Sequence, residues 1–192
     1  MPFDARSEDP DDLLLRRFAA GDAAAARELT LRLTPRVFGH ALRLLGDRAE
    51  AEDVAQEALL RLWRIAPDWR EGEARITTWL YRVTANLATD RLRKRRGVAL
   101  DSVPEPEDGA PSAMQAMQDE SRAQALQQAL DGLPERQRQA VVLRHIEGLG
   151  NPEIAQIMDI SAEAVESLVA RGKRALAAVL TGRRAELGYR DE

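Results

Sequence analysis

An acidic segment that contains several prolines divides this sequence into two blocks of helical character. The segment is GVALDSVPEPEDGAPSAMQAMQDES, residues 97–121, and it has three prolines and no basic residue. Unbalanced charge and few apolar groups leave it little to bury, so we expect an extended or mobile linker, whose last part from about Ser112 can begin a helix. The chain should then form two small domains, residues 13–96 and 122–182, between an acidic N-terminal tail (1–12) and a C-terminal tail (183–192).

Both blocks favour an all-α fold. Aromatic residues make up only 4% of the chain, whereas strands favour aromatic and β-branched side chains over the alanine, leucine, arginine and glutamate that are abundant here. Leu14 and Phe18, and then Leu29 and Leu33, recur at helical spacing. Pro35 is typical of the first turn of a helix, so we predict that a new helix begins near it.

The sequence argues against an enzyme. It has no cysteine, and its two histidines, His40 and His145, lie far apart without the H-E-x-x-H spacing of a zinc site. It has neither a glycine-rich phosphate loop nor a G-x-S-x-G nucleophile turn. We therefore expect no catalytic residue, no metal site and no cofactor. The acidic N-terminus lacks a signal-like pattern and no apolar run reaches ~18 residues, which predicts a cytoplasmic protein without membrane insertion.

Residues 151–176, NPEIAQIMDISAEAVESLVARGKRAL, have the spacing of a helix-turn-helix. A short helix that carries Ile154 meets a turn at Asp159 and Ile160, and Ser161 can cap a longer helix that buries Val165. In such motifs the second helix enters the major groove of DNA. The cap and the outward side chains of that helix are the candidate DNA contacts: Ser161, Glu163, Glu166, Ser167, Arg171, Lys173 and Arg174.

Glu163 and Glu166 stand on this helix where a phosphate surface would repel them, and two interpretations remain open. A glutamate can accept a hydrogen bond from the amino group of cytosine and penalise bases that present only acceptors. Alternatively, acids near a helix N-terminus stabilise the helix dipole. The second interpretation suits Glu163, in the first turn, better than it suits Glu166.

A net charge of −4 conceals a basic patch at the end of the first block. Five cations stand in the run RLRKRR, residues 91–96, immediately before the acidic linker. With Trp79, Tyr81, Arg82 and Asn86, this run predicts a surface for an unpaired strand, on which aromatic rings stack on bases and cations follow phosphates. The alternative is structural: Trp79 is a partly buried helix residue, and cations are common at helix C-termini.

Three segments resemble, in order and spacing, the bacterial extracytoplasmic-function sigma factors of the sigma-70 superfamily. They are AEDVAQEALLRLW (residues 51–63), TTWLYRVTANLATDRLRKRR (77–96) and the stretch from LPERQRQAVVL to ARGKRAL (133–176). The resemblance implies that the two domains are sigma-2 and sigma-4, which bind core RNA polymerase and direct it to promoters. Sigma-2 would read and open the minus-ten element, and sigma-4 would read the minus-thirty-five element through the outward residues named above.

The resemblance also assigns partners and further site residues. The first segment would bind the clamp helices of the largest polymerase subunit through Asp53, Gln56, Glu57, Leu60 and Arg61. The second segment, with a loop at residues 68–77 that would capture a flipped base, supplies the minus-ten contacts: Trp69, Arg75, Trp79, Arg82, Asn86, Arg91, Arg93, Lys94 and Arg95. Members of the family are usually held inactive by an anti-sigma factor between the domains, so such a partner is expected.

The chain departs from the family pattern around its recognition helix. Asp159 stands where members commonly have glycine, and Glu166 and Leu168 replace a lysine and an arginine. Aspartate tolerates left-handed backbone better than most residues, so the turn should survive. The base contacts of other members, however, do not transfer directly to this helix.

Two other functions remain open at the level of sequence. A stand-alone helix-turn-helix regulator would bind duplex DNA without polymerase, and a helical adaptor would have no salt-dependent affinity for DNA. A further hypothesis concerns regulation. The acidic linker and N-terminal tail would lie over the basic run in the free chain and compete with phosphate for it.

Overall fold

The computed structural model describes residues 10–69, 75–98 and 114–181, and all regular secondary structure in these residues is helical, as predicted. The helices are α1 (Pro10–Ala19), α2 (Ala23–Leu45), α3 (Arg48–Ile65), α4 (Ile76–Val98), α5 (Met114–Asp131), α6 (Glu135–Val141), α7 (Asn151–Met158) and α8 (Ala162–Thr181). A 3₁₀ turn (Ala66–Asp68) follows α3, and a π turn (Val142–Ile146) extends α6. None of these helices is long and apolar enough to cross a membrane.

The ends of the predicted linker are helical. Helix α4 extends to Val98, and α5 begins at Met114, near the position suggested by the sequence. The intervening residues 99–113 lie outside the described residues, as do residues 1–9 and 182–192 of the predicted tails. The linker and tail assignments for those residues therefore stay predictions.

Helix α2 continues through Pro35, so the prediction that a new helix begins there is wrong. Leu33 and Val37, on either side of the proline, are buried in the core, whereas Pro35 and Leu31 are exposed. The carbonyl that loses its donor to the proline therefore belongs to a residue on the solvent side, where water can satisfy it. Core packing of the flanking apolar residues then maintains one continuous helix.

Capping residues set the turns at both ends of α2. Asp22 begins α2 by accepting hydrogen bonds from the N–H groups of Ala24 and Ala25 at 2.9 and 3.2 Å. Gly46 ends the helix in the left-handed region, with φ 69°, and Asp47 then accepts from the N–H of Glu50 at 2.9 Å. The chain reverses within a few residues, so α3 packs back along α2.

Helices α1 to α4 form the first half of the molecule around a core of leucine and alanine. Leu29 and Leu33 of α2, Leu62 of α3 and Leu80 of α4 are at most 1% exposed. Each buried leucine contributes roughly 1.5–3 kcal/mol relative to an exposed one. Because one side of α3 and one side of α4 pack into this core, the opposite sides of both helices face outward.

Helices α5 to α8 form the second half, in which α8 lies unusually close to α6. Gly172 of α8 is buried, and a Cβ atom added to it would stand 2.5 Å from Cγ2 of Val141 and 3.3 Å from the carbonyl oxygen of Gln137. Only glycine fits at this crossing without displacement of α6 or α8. The crossing therefore sets the position of the helix predicted to read DNA.

The two halves pack against each other. Tyr81 of α4 belongs to the same buried cluster as Leu143, Ile154 and Val165 of the second half. Arg138 of α6, whose residue surface is 9% exposed, donates a hydrogen bond to the carbonyl of Leu44 at 2.6 Å. The free chain is thus a closed arrangement of two halves.

Candidate polymerase and nucleic-acid interfaces

One side of α3 carries all five residues assigned to polymerase binding. The other side is buried through Val54, Ala58 and Leu62. Leu60 is 42% exposed at the centre of the outward side, flanked by polar groups. The members of this face are Asp53, Gln56, Glu57, Leu60 and Arg61. An apolar centre with charged neighbours has the chemistry of a protein interface.

The charges on this face form local pairs. Nε of Arg61 donates to Oε1 of Glu57 at 2.8 Å, and this hydrogen bond lowers the pKa of Glu57. Nη1 of Arg91, on α4, lies 3.4 Å from Oδ2 of Asp53. Exposed pairs of this kind contribute little to stability and can exchange partners. The face therefore presents ionised side chains that a partner can engage.

Trp69 and Trp79 form a half-buried aromatic pair before and within the start of α4. Their ring centroids are 6.1 Å apart with planes at 87°, and both rings pack against the core of the first half. Nε1 of Trp69 is buried and has no hydrogen-bond partner among the described residues. This packing favours the structural interpretation of Trp79. Only the ends of the loop at residues 68–77 are described, because residues 70–74 lie outside the described ranges.

Exposed polar side chains run along α4 beyond this pair. Arg82 and Asn86 share one face of the helix, and Arg93 lies on the same face two turns later, with Lys94 beside it. All four are exposed, and none has a hydrogen bond or ion pair with the described part of the chain. They are the groups on α4 most open to a nucleic-acid backbone.

Other cations of the basic run are engaged within the protein. Nε of Arg95 donates to Glu50 at 2.8 Å, and its Nη2 lies 3.2 Å from a carboxylate oxygen of Asp47. Nη2 of Arg96 donates to Oε2 of Glu135, on α6, at 3.1 Å. Arg95 thereby fastens the end of α4 to the α2–α3 turn, and DNA would have to displace two carboxylates to reach it.

Tyr81 does not lie on the exposed side of α4. It is 6% exposed, and its hydroxyl donates to Oε2 of Glu147 at 2.5 Å. Burial, together with this carboxylate, raises the pKa of Tyr81 well above its usual range. The ring of His40 meets the tyrosine ring edge to face at 4.9 Å. In this arrangement Tyr81 joins the two halves and is not available for stacking on a base.

The helix-turn-helix has the predicted geometry. Helix α7 ends at Met158, and its C-cap Asp159 adopts the left-handed conformation with φ 53° and ψ 54°. The hydroxyl of Ser161 then caps α8 by accepting from the N–H of Ala164 at 3.2 Å. Val165 is fully buried and anchors α8 against the rest of the motif. Aspartate thus fills the position where glycine is common, as the sequence suggested.

The outward side of α8 is exposed and mostly polar. Nε of Arg171 donates to the carbonyl of Ser167 at 3.2 Å, and Nε of Arg174 donates to that of Ala170 at 3.3 Å. Both guanidinium groups keep other N–H donors for an external acceptor. The predicted contacts Ser161, Glu163, Glu166, Ser167, Arg171, Lys173 and Arg174 are all exposed.

The two acids of α8 have different surroundings. Glu163 interacts first with its own backbone N–H and then with the hydroxyl of Ser161, and both interactions lower its pKa. It therefore stabilises the start of its own helix. Oε1 of Glu166 accepts a hydrogen bond from Nδ2 of Asn151, at the start of α7, at 3.2 Å. This bond leaves the second carboxylate oxygen of Glu166 as a free acceptor.

Sequence reasoning missed residues that join helices across the molecule. Arg138 and Glu147 lie among polar residues without a distinguishing pattern, and nothing local indicates that they face the first half. The sequence could have pointed to Gly172, because a glycine inside a helical pattern often marks close packing. His40 is fully buried, consistent with a structural role.

Comparison with known proteins identifies two family segments in this chain. Residues 29–98 match the family described as Sigma-70 region 2, and residues 123–176 match the family described as Sigma-70, region 4. The first segment includes α3 and α4, and the second includes the helix-turn-helix. The matches therefore cover each of the three surfaces described above.

Several bacterial proteins are similar over most of this chain. The ECF RNA polymerase sigma factor SigE of Mycolicibacterium smegmatis is 36% identical over 165 residues, which are 82% of this chain and 63% of that protein. The RNA polymerase sigma-H factor of Pseudomonas aeruginosa is 31% identical over 88% of this chain and 93% of its own length. The ECF RNA polymerase sigma-E factor of Escherichia coli is 30% identical over 86% and 92%.

Solved structures show the same fold. The sigma factor RpoE of Bartonella quintana, in complex with the anti-sigma factor NepR, has a TM-score of 0.65 at 23% identity and covers 81% of this chain and 96% of its own. CnrH, in complex with the cytosolic domain of CnrY, has a TM-score of 0.66 at 24% identity and covers 90% and 97%.

Proposed function

The chain belongs to the extracytoplasmic-function sigma factors of the sigma-70 family, and from this premise we propose that it is a transcription initiation factor. It binds core RNA polymerase, directs it to specific promoters and aids strand opening. The observation that carries the proposal is that the two family segments fall on two halves that each present an exposed face of the expected chemistry. The protein catalyses no reaction itself, and it acts in the bacterial cytoplasm, where polymerase and chromosome meet.

The outward face of α3 binds the clamp helices of the largest polymerase subunit in this proposal. Leu60 supplies the apolar centre, and Gln56 adds an amide that can donate and accept. Arg61 and Glu57 are already paired, so little side-chain entropy is lost when the partner engages them. Such a face supports a specific but reversible contact.

The exposed side of α4 follows the unpaired strand of the minus-ten element. Arg82, Asn86, Arg93 and Lys94 contact its backbone, and Arg75, Arg91 and Arg95 join them when they leave their carboxylates. Trp69 and Trp79 flank the loop that receives the flipped base. Flipping costs a few kcal/mol of unstacking, which contacts in the loop and along the backbone must offset.

Helix α8 reads the minus-thirty-five element in the major groove. Arg171 reaches guanine or phosphate, whereas Lys173 and Arg174 hold the backbone. Glu166 accepts from the amino group of a cytosine with the oxygen that Asn151 leaves free. Ser161, Glu163 and Ser167 complete the polar side of the helix, and Glu163 acts mainly on the helix start.

An anti-sigma factor is proposed as the regulatory partner. The solved neighbours RpoE and CnrH are each held in a complex, with the anti-sigma factor NepR and with the cytosolic domain of CnrY. The present chain shares their fold in both halves, so it offers the same kind of protein surface to a partner.

Run-off transcription with purified core polymerase on genomic fragments tests the function. We expect discrete start sites that appear only when this protein is added. Leu60→Asp should abolish pull-down of core polymerase, whereas the matched control Leu31→Asp, on the exposed side of α2, should not. If wild-type protein binds duplex DNA but neither retains core polymerase nor yields a transcript, it is a stand-alone regulator and the proposal is wrong.

A further inference from the structure

Promoter reading requires the two halves to be far apart. The minus-ten and minus-thirty-five elements are numbered by position in base pairs, so they lie about 25 base pairs apart, which is ~85 Å of B-form duplex at 3.4 Å per base pair. In the free chain, however, Nη1 of Arg75 at the start of α4 lies 3.8 Å from Oε1 of Glu153 on α7, the helix that packs against α8. This closed arrangement cannot engage both elements at once.

A group of polar side chains, which we call the clasp, closes the interface: the buried His40, Tyr81 and Arg138, and the half-buried Glu147. The Tyr81 hydroxyl donates to Glu147 at 2.5 Å, and Nδ1 of His40 lies 3.7 Å from the other oxygen of that carboxylate. Burial alone would raise the pKa of Glu147, but its neighbours His40, Tyr81 and Arg36 outweigh burial and lower it. Glu147 is therefore an ionised acceptor that faces α2 and α4.

Arg138 supplies the second part of the clasp. Its Nη1 donates to the carbonyl of Leu44 at 2.6 Å, and its Nη2 donates to the carbonyl of Asp131 at 3.0 Å. One guanidinium thus bonds the end of α2 in the first half and the end of α5 in the second. Separation of the halves exposes the Leu44 carbonyl and breaks a short, charge-assisted hydrogen bond.

Acids of the second half meet cations of the proposed nucleic-acid surface. Glu135 accepts from Arg96 of the basic run at 3.1 Å, and Glu153 pairs with Arg75 at 3.8 Å. A carboxylate that pairs with such a guanidinium occupies the same donors that a phosphate would use. Both cations remain more than half exposed in their side chains, so a phosphate can compete for them.

We propose that the second half of the free chain is an internal competitor for the nucleic-acid surface of the first half, held in place by the clasp. Glu135 and Glu153 stand in for phosphates, and the Tyr81–Glu147 and Arg138–Leu44 bonds hold them there. The proposal rests on the proposed function, because it takes α4 as the strand-binding surface. It assigns the competing charge to α6 and α7, whereas the sequence suggested the linker and N-terminal tail.

Titration of a fluorescent 20-nucleotide mixed-sequence single strand, without polymerase, tests the competition. The double variant Glu135→Gln/Glu153→Gln should bind roughly threefold to tenfold more tightly than wild type, the range for release of two exposed ion pairs. The logarithmic salt slope should steepen by about 0.7 for each phosphate gained. The N–H of Gly150 donates a hydrogen bond to Glu153, and a glutamine at this position can still accept it, so α7 should keep its fold.

The control is Glu28→Gln/Glu52→Gln, which removes the same charge from exposed positions of α2 and α3 away from the second half. It should leave affinity and salt slope near wild type. Equal gains in affinity for the single strand in both double variants would mean that only net charge controls binding, and this result would overturn the proposal. The assay contains no polymerase, so failure of the proposed function would appear separately, as absent transcription by wild-type protein.

Distance measurement tests whether the clasp closes the halves. The chain has no cysteine, so spin labels at Ala24→Cys and Ala177→Cys, both exposed, report α2 against α8 without background. Glu147→Gln should broaden the distance distribution and shift it to longer values. Tyr81→Phe removes one hydroxyl, preserves the ring and should shift the distribution in the same direction. Unchanged distributions in both folded variants would refute the clasp.

Discussion

The close crossing of α6 and α8 makes Gly172→Ala a sharp test of the structure. The new methyl group would begin 2.5 Å from Cγ2 of Val141, about 1 Å inside the normal carbon–carbon separation. Val141 is buried and β-branched, and the second contact is the Gln137 backbone, so neither neighbour yields easily. Overpacking costs about 1–3 kcal/mol, partly offset by ~1 kcal/mol from the higher helix propensity of alanine. Because neither neighbour yields easily, the upper part of the overpacking range applies, about 2–3 kcal/mol, which leaves a net loss of about 1–2 kcal/mol.

Urea unfolding followed by circular dichroism measures this loss. The matched control is Gly39→Ala, because Gly39 lies inside α2 and a Cβ there would meet nothing within 4 Å. That control should gain up to ~1 kcal/mol. Val141→Ala combined with Gly172→Ala should be less destabilised than the sum of the single changes by at least ~0.5 kcal/mol. If Gly172→Ala matches or exceeds wild-type stability, the crossing is not as close as described.

Three further predictions concern the interface and the DNA-reading motif. Because the pKa of Glu147 is lowered in the folded chain, the ionised carboxylate stabilises closure above the ordinary pKa of 4.5, and this stabilisation is lost as the pH falls through the lowered pKa. The distance between the spin labels should therefore lengthen in acid in the wild type and depend less on pH in Glu147→Gln. In a binding-site selection, Glu166→Gln and Asn151→Ala should both weaken the base preference at one position of the minus-thirty-five element. A change in affinity that is the same for all sequences would mean that Glu166 reads no base. Asp159→Gly should raise the midpoint of thermal unfolding slightly, because φ 53° is strained for a residue with a Cβ, and a lower midpoint would contradict that account.

Local patterns were sufficient for the helix-turn-helix and for the outer face of α3. In the motif, the turn at Asp159, the cap at Ser161 and the buried Val165 all follow from spacing over a few residues. Helical periodicity likewise separated the exposed side of α3, with Leu60 and Arg61, from its buried side. The error at Pro35 arose because core packing on both sides of a proline outweighed one lost hydrogen bond.

The sequence by itself determined the helical class, the two blocks, the order of the family segments and the side chains on each outward helix face. These properties depend on spacing within one helix, which the chain displays directly. Only the tertiary structure decided that Tyr81 is buried against Glu147, that Arg138 bonds Leu44, and that part of the basic run is paired internally. The partners in these contacts lie 39 to 94 residues apart, so their pairing depends on how the helices pack and leaves no periodic trace.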